Sequence, residues 1–351
     1  MSDPTRQVVL MPNLFTSFLA SAPLINPHYS SVREESETWL ATTWQCDQKA
    51  QAKIKAIDFS YFCAILAPHA NSERFRLICD WGNWIFPFDD LFDDGDLRND
   101  SERARSMVET LLEMMQDVQG SGNLLVGTDA EKRLIECHLD IWKRFQSATG
   151  NADLSERYKR AMQEYCEGAL QQVQDCSMDN TRDIENLLII RRLSIGAEPL
   201  YALVEFGHQL EIPDYVLEND TIKQIRLTGV DIILIQNDII SYRKEEGEDV
   251  RHNLIAACRR HGLSAQEAFD HLGRLLAERL ERFDQLVESL PPWDDMTTVP
   301  VAAYVEGVRN SVRANLYWSL RTERYFGAAT VDVWKTRKVD VMVRPSYLEC
   351  C

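Results

Sequence analysis

The feature that most limits the fold of this chain is the spacing of its apolar residues, which recur at steps of three and four nearly everywhere. In the clearest stretch, 265–290, this spacing gives one apolar helix face, with Ser264 as a suitable cap and Pro291-Pro292 as a stop. The same spacing predicts further helices over 73–93, 101–119, 129–147, 154–173, 183–208, 221–244 and 299–326. Alternating strand patterns are scarce, and the best of them, 339–343, is short. The pattern predicts an all-α fold.

The length of the chain and its lack of a linker-like stretch favour one domain. A chain of 351 residues would suggest about two domains on the usual prior of roughly 150 residues each. However, no stretch is rich in Gly, Ser or Pro, and no repeat of fixed period occurs in the sequence. We therefore expect a single domain over 1–351, with less order in 1–25 and 330–351 than in the helices.

The charge and the cysteines narrow the class of function. With 55 acidic and 38 basic residues, the formal net charge of −17 disfavours a nucleic-acid partner and an anionic membrane surface, and permits cation binding. No apolar run is long enough to span a bilayer, so we expect no membrane insertion. Nine scattered cysteines without Cys-x-x-Cys spacing, in a sequence without a signal-peptide pattern, predict reduced thiols in a cytoplasmic protein.

Four carboxylates, Asp89, Asp90, Asp93 and Asp94, directly follow an aromatic run. On a helix, Asp89 and Asp93 would share one face and repel each other unless a cation lay between them. Mg²⁺ suits such a pair, because it typically takes one or two carboxylates and fills its other positions with water and phosphate oxygens. A solvated acidic helix end is the alternative. The preceding apolar residues favour the metal site, since they place the acids at the edge of an apolar region: Trp81, Trp84, Ile85, Phe86 and Phe88.

A second group of oxygen donors, Asn237, Ser241 and Glu245, follows a strongly apolar helical stretch. Their i, i+4, i+8 spacing lets an amide, a hydroxyl and a carboxylate point at one ion, and all three are hard donors of the kind that Mg²⁺ prefers. This spacing is fairly common by chance on polar helix faces. The acidic group upstream supports the interpretation of this spacing as a metal site, because two hard-cation sites on separate helices suggest an anion bridged by metal ions.

Such an anion also needs cationic partners, and the sequence offers Arg191-Arg192, Lys244 and Arg324-Tyr325. Each of these alone is more often a surface charge. Together they could supply arginine forks and a lysine charge to phosphate oxygens.

At this point the chain resembles the class I terpene synthases of the fungal and bacterial type. The aspartate-rich motif of that family corresponds to Asp89-Asp90-Leu91-Phe92-Asp93. The family pattern N-D-x-x-S-x-x-x-E is matched without departure at Asn237, Asp238, Ser241 and Glu245. The motifs follow in family order and span 89–325.

The resemblance also includes the positions that contact the substrate diphosphate in this family. The family has an Arg-Tyr pair near its C-terminus, matched by Arg324-Tyr325, and a basic residue matched by Lys244. Its diphosphate-sensing arginine lies four residues before a helix break, which fits Arg192 and Gly196; Arg191 is the alternative.

The resemblance implies a helical bundle around a central apolar pocket, with three Mg²⁺ ions. It implies that Asp89 and Asp93 hold two of them and that Asn237, Ser241 and Glu245 hold the third. Asp90 and Asp94 are weaker candidates, since neighbouring acids in the family often form salt bridges. The resemblance further implies that Arg192, Lys244, Arg324 and Tyr325 contact the diphosphate.

The implied activity is Mg²⁺-dependent ionisation of farnesyl diphosphate, followed by cyclisation of the carbocation to a sesquiterpene and release of diphosphate. The enzyme would be a lyase of isoprenoid biosynthesis whose partner is its prenyl diphosphate substrate, and the resemblance allows a homodimer. Candidate pocket residues are Phe59, Trp81, Phe86, Gly196 and Trp318. Aromatic faces stabilise carbocations, although ordinary core packing is the alternative for each of these rings.

Several alternatives stay open. The substrate could be geranyl or geranylgeranyl diphosphate, or the product a linear alcohol of the linalool or nerolidol type. A trans-prenyltransferase would be expected to carry a second aspartate-rich motif in place of 237–245, and a non-catalytic helical protein would need every motif match to be a coincidence. The remaining acids have simpler interpretations: 246–249 reads as a solvated helix end, and Asp294-Asp295 as turn acids.

Overall fold

The computed structural model describes residues 5–93, 95–116, 127–177, 184–248, 250 and 252–348. This part of the chain is mainly helical, which confirms the all-α prediction. The helices in chain order are α1 (Tyr29–Trp44), α2 (Gln48–Ile57), α3 (Phe59–Leu66), α4 (Ser72–Asp93), α5 (Ser101–Met115), α6 (Asp129–Thr149), α7 (Ala152–Ser177), α8 (Ile184–Ser194), α9 (Ala197–His208), α10 (Asp214–Leu217), α11 (Asp220–Gly247), α12 (Leu254–Arg260), α13 (Ala265–Glu288), α14 (Asp295–Ser319) and α15 (Thr330–Thr336). Two strands are β1 (Arg6–Leu10) and β2 (Lys338–Met342). No helix among the described residues combines the length and apolar character needed to cross a membrane.

Local signals explain several helix boundaries. Ser264 and Glu267 form a reciprocal capping box that starts α13, as the predicted cap requires. The predicted helix over 183–208 is two helices in the described residues, because Gly196 adopts a left-handed conformation (φ 69°) between α8 and α9. Asp294, interpreted as a turn acid, caps α14, so that helix begins four residues earlier than predicted.

By their contacts, the described residues form two compact units, each discontinuous in sequence. One comprises residues from 24–180 and 196–211, and the other comprises residues from 1–23, 181–195 and 212–351. The expectation of a single domain stays a prediction.

Helix α4 is central to the unit of 24–180 and 196–211, where it packs against α1, α3, α6, α7 and α9. Its apolar face meets a buried aromatic cluster. In that cluster Trp84 stacks on Phe88, and the ring centroid of His138 lies 4.4 Å from that of Trp84. His138 in turn shares a 3.0 Å hydrogen bond with the hydroxyl of Tyr158. Because α4 is buried along most of its length, its acidic end is held in a fixed position.

Helix α11 has the same role in the other unit, where it packs against α8, α12, α13, α14 and β2. Its buried side recurs at helical spacing through Ile222, Ile225, Ile232, Ile235 and Ile239. Its last turns carry the second predicted group of metal ligands.

The described parts of 1–25 and 330–351, the segments expected to be less ordered, contain the two strands. β1 and β2 pair antiparallel, with Arg6 opposite Met342 and Leu10 opposite Lys338. Val9, Val339 and Val341 are buried on one face of this pair. The short alternating pattern at 339–343 was therefore a real strand signal, although its partner lies more than 300 residues away in the sequence.

Candidate active site

The aspartate-rich motif occupies the last turn of α4, which stays helical through Pro87. Asp89 Oδ1 accepts a 2.7 Å hydrogen bond from the hydroxyl of Tyr165, and Asp93 Oδ1 accepts a 2.9 Å bond from Nε2 of Gln172. Both donors lie on α7, seven residues apart, which is about two helical turns. The two acids therefore share one face of α4, as the sequence predicts, and one neighbouring helix holds both of them.

The Tyr165 hydroxyl is well suited to hold a carboxylate. Tyr165 is buried, and its burial together with the charge of Asp89 raises the pKa of its phenol well above the usual value. The group therefore stays protonated and donates its hydrogen at any physiological pH. It orients Asp89 without neutralising the charge that a metal ion would need.

The two neighbouring acids differ from this pair. Asp90 forms a 2.6 Å ion pair with Lys53, in keeping with its weaker candidacy as a ligand. Asp94 lies outside the described residues.

The second motif occupies the last turns of α11. Ser241 is buried, and Asn237 and Glu245 are partly exposed. The side-chain Nδ2 of Asn253 lies 2.8 Å from Glu245 Oε2 and 3.5 Å from Ser241 Oγ, so one atom contacts two of the three predicted ligands. The i, i+4, i+8 spacing therefore places these two ligands on a common side of the helix.

Asp238, the second residue of the motif, has a structural role. It is fully buried, and its two oxygens accept hydrogen bonds of 2.6 Å from Arg191 and 2.7 Å from the backbone N–H of Leu254. Burial raises the pKa of Asp238 to about 6, although the charge of Arg191 opposes this shift. Asp238 thereby ties α8 and the start of α12 to α11.

The two adjacent arginines of α8 have different partners. Nη2 of Arg191 lies 3.3 Å from Oδ1 of Asn237, and the side chain is almost completely buried. Arg192 instead makes a bidentate contact with Asp231, at 2.6 and 3.0 Å, and Asp231 precedes Asn237 by six residues on α11. Asp231 also pairs with Arg279 at 2.9 Å. Of the two arginines, Arg191 is thus the one in contact with a predicted metal ligand.

The remaining candidates for contact with the diphosphate are Lys244, Arg324 and Tyr325, and their electrostatic interactions place them near Glu245. Burial and the charge of Arg324 lower the pKa of Lys244, but its 2.8 Å pairing with Glu248 and the charge of Glu245 outweigh them, so the pKa lies above its usual value. Tyr325 is buried, and burial raises the pKa of its phenol, so it remains a hydrogen donor. The structure therefore brings these predicted diphosphate contacts into one neighbourhood with a predicted metal ligand.

The predicted pocket residues are buried to different degrees. Phe59 and Phe86 contact each other edge to face, with ring centroids 4.7 Å apart, while Trp81 is almost fully buried within its unit. Trp318 packs edge to face against Tyr325, at 5.9 Å. Burial of this kind fits ordinary core packing as well as a pocket wall, so the pocket assignment stays a prediction.

Glu246 corrects the interpretation of 246–249 as a solvated helix end. The residue is 2% exposed, accepts the backbone N–H of Met342 at 2.9 Å, and pairs with Arg6 at 3.3 Å. The interpretation was wrong because both partners come from the terminal strands, which a local reading of charges does not include. Asp249 lies outside the described residues.

The donors present fit Mg²⁺. Among the described residues, no three His, Cys, Asp or Glu side chains converge to form a metal site made by the protein alone. Mg²⁺ does not require one, because it usually takes one or two carboxylates and completes its shell with water and substrate phosphates. In one unit Asp89 and Asp93 are the candidate Mg²⁺ ligands, and in the other unit the candidates are Asn237, Ser241 and Glu245.

Among the described residues, those whose contacts to these groups were not predicted include Tyr165, Gln172, Asn253 and Asp231. Asn253 carries a local signal, since an Asn directly before an apolar run is a typical helix cap. Tyr165 and Gln172 share only a seven-residue spacing on an amphipathic helix, which does not mark them among the other polar residues of α7.

Comparison with known proteins identifies the family of this chain. The model of the family described as terpene synthase family 2, C-terminal metal binding, matches residues 80–282, which include the acidic motif and the second motif. A silphinene synthase from Penicillium patulum is 32% identical over 335 residues, covering 95% of this chain and 90% of the relative. A (+)-eremophilene synthase from Gibberella fujikuroi is 28% identical over 342 residues, covering 95% and 92%.

The fold has matching solved structures. The crystal structure of an α-eudesmol synthase superposes with a TM-score of 0.75, covering 88% of this chain and 99% of that one, at 21% identity. The family match over more than half of the chain and the similarity to the silphinene synthase along nearly its whole length lead to one conclusion. The chain belongs to the terpene synthase family.

Proposed function

We propose that this protein ionises farnesyl diphosphate and cyclises the resulting carbocation to a sesquiterpene, with release of diphosphate. Silphinene and eremophilene, for which the two relatives are named, are sesquiterpenes, and this supports a C15 substrate. The protein would thus be a lyase that acts on a prenyl diphosphate.

The observation that carries the proposal is how the candidate ligands are held. Asp89, Asp93 and Glu245 each accept a hydrogen bond from a neutral side chain. A neutral donor restricts the rotation of a carboxylate and leaves its negative charge in place. The Tyr165, Gln172 and Asn253 donors would thus fix the direction of these carboxylate oxygens, and they add no positive charge of their own that would compete with a divalent cation.

We further propose that each of the two ligand groups binds Mg²⁺ for contact with a substrate diphosphate. When bound, the ions would neutralise the charge that develops on the leaving group. The side chains of this protein would add hydrogen bonds to its oxygens: Arg191, Lys244, Arg324 and Tyr325 are the candidates. The contact of Arg191 with Asn237 supports Arg191 over Arg192 as the arginine of this set.

The aromatic candidates would act after ionisation. The faces of Phe59 and Phe86 could stabilise a carbocation by about 0.5 to 2 kcal/mol each without acting as bases. Apolar walls would also exclude water, which would otherwise capture the cation.

Incubation with the C10, C15 and C20 prenyl diphosphates and Mg²⁺, followed by gas chromatography with mass spectrometry, tests the proposal. We expect a cyclic C15 product, with more than tenfold loss of turnover in Asp89→Ala and in Asn237→Ala at unchanged helical content. Turnover of the C20 substrate alone would refute the C15 assignment. Unchanged turnover in both variants would refute the ligand assignment. Chain elongation after addition of isopentenyl diphosphate would indicate a prenyltransferase instead.

A further inference from the structure

Asn253 lies between the second ligand group and the start of α12, and its side chain is completely buried. Its Nδ2 donates hydrogen bonds of 2.8 Å to Glu245 Oε2 and 2.9 Å to the backbone carbonyl of Asp238. The same nitrogen lies 3.5 Å from Ser241 Oγ. Its Oδ1 accepts the backbone N–H of Ile255 at 2.7 Å. One amide thus connects two predicted metal ligands to the neighbouring helix.

The chemistry of these partners allows only one orientation of the amide. A carboxylate and a carbonyl oxygen can only accept hydrogen bonds, and a backbone N–H can only donate one. Nδ2 must therefore face Glu245 and Asp238, and Oδ1 must face the start of α12. Because the amide is held at both ends in a buried position, it has little freedom to turn, and it transmits that constraint to the Glu245 carboxylate.

We propose that Asn253 is a positioning residue for the metal ligands Ser241 and Glu245. The inference rests on the proposed function, because it takes both residues as Mg²⁺ ligands. Asn253 is a neutral donor, so it restricts the rotation of the Glu245 carboxylate before the cation arrives and adds no positive charge that would repel the cation. Without this donor the carboxylate samples more orientations, and the cation binds more weakly.

A purely structural role as a helix cap is the competing explanation, and one substitution with a matched control separates it from positioning. Asn253→Ser retains a side-chain oxygen that caps α12, since Ser is about as good an N-cap as Asn, but it removes the amide donor. A matched control is Asn219→Ser, because Asn219 caps α11 by accepting the N–H of Thr221 and lies at the opposite end of that helix from Glu245.

The experiment titrates Mg²⁺ into the full-length protein in the presence of inorganic diphosphate, by isothermal calorimetry, and measures urea unfolding of each variant. We expect Mg²⁺ to bind Asn253→Ser roughly 10 to 100 times more weakly than wild type, the usual effect of losing a partner of a metal ligand. We expect less than a twofold change in Asn219→Ser. Turnover of Asn253→Ser should recover as Mg²⁺ is raised.

The outcomes separate the inference from the proposed function. Wild-type binding of Mg²⁺ with diphosphate, together with binding by Asn253→Ser within twofold of wild type, would overturn the positioning role alone. Equal losses in Asn253→Ser and Asn219→Ser would do the same, since capping would then explain both. If wild type binds no Mg²⁺ in the presence of diphosphate, the ligand assignment itself is wrong and the inference fails with it.

Discussion

The burial of His138 predicts how the free energy of unfolding changes as the pH is lowered. The side chain is 0% exposed, and its Nε2 shares a hydrogen bond with the Tyr158 hydroxyl at 3.0 Å. Its other ring nitrogen, Nδ1, has no hydrogen-bond partner among the described residues. A proton added there would place an unsatisfied charge in the core, so burial lowers the pKa of His138 to about 3.

The sign of the effect follows from proton binding in the two states. In the unfolded chain His138 takes up a proton near pH 6.5, whereas in the folded protein it stays neutral until about pH 3. Between these values the unfolded state binds more protons, so acidification favours unfolding by about 1.4 kcal/mol per pH unit. The stabilising contribution is complete above pH 6.5. Acidification from pH 7 to pH 5 should therefore remove about 2 kcal/mol of the free energy of unfolding.

Comparison of variants isolates this contribution from other groups. Burial raises the pKa of Asp80, Glu37 and Glu246, so these acids affect the pH dependence in the opposite sense. Because every variant shares these acids, the difference between wild type and His138→Gln reports His138 alone. The glutamine does not titrate and can still bond to Tyr158.

Urea unfolding followed by circular dichroism at 222 nm, at half-unit steps from pH 7 to pH 5, measures the effect. We expect the free-energy difference between wild type and His138→Gln to change by about 2 kcal/mol over this range. Tyr158→Phe should keep the wild-type pH dependence, since it removes the hydrogen bond but retains the buried imidazole. Parallel curves for wild type and His138→Gln would refute the reasoning.

Two further predictions concern α8 and the helix break that follows it. Arg191→Lys should lower turnover by about 10²–10³-fold, which is the typical effect of losing one preorganised donor to a developing charge. Arg192→Lys should lower turnover by less than tenfold, because Arg192 contacts Asp231 instead of a predicted metal ligand. Steady-state kinetics on folded variants checks this, and a larger loss in Arg192→Lys would contradict it. Gly196→Ala should lower the free energy of unfolding by about 1–2 kcal/mol, since alanine is strained at φ 69°. Urea unfolding measures this free energy, and an unchanged unfolding midpoint would contradict the prediction.

The elements that could be predicted are those whose signals are local. The start of α13 follows from Ser264 and Glu267, three residues apart, and the break after α8 follows from Gly196. The two candidate metal-ligand groups could be proposed from the sequence because each lies within a single helix, where a spacing of four residues already brings the donors to one side. Their role as metal ligands stays a prediction.

The features that could not be predicted depend on contacts between distant parts of the sequence. Glu246 looked solvated because its partners, Arg6 and Met342, are 240 and 96 residues away. The choice between Arg191 and Arg192 depends on which side of α8 meets α11, and adjacent residues on a helix point about 100° apart. Apolar spacing does not encode that rotation, because both arginines lie at the same end of an apolar stretch.

The pairing of β1 with β2 has a consequence for protein engineering. The strands lie side by side, and the Met342 N–H in β2 bonds to Glu246, the neighbour of the ligand candidate Glu245. Trimming either strand to obtain a shorter recombinant chain would withdraw this support from the end of α11. A short peptide bridging the outer ends of the strands would instead close the backbone into a ring. The ring could then be reopened at an exposed turn, which would give a circular permutant that keeps intact the two helices carrying the candidate metal ligands.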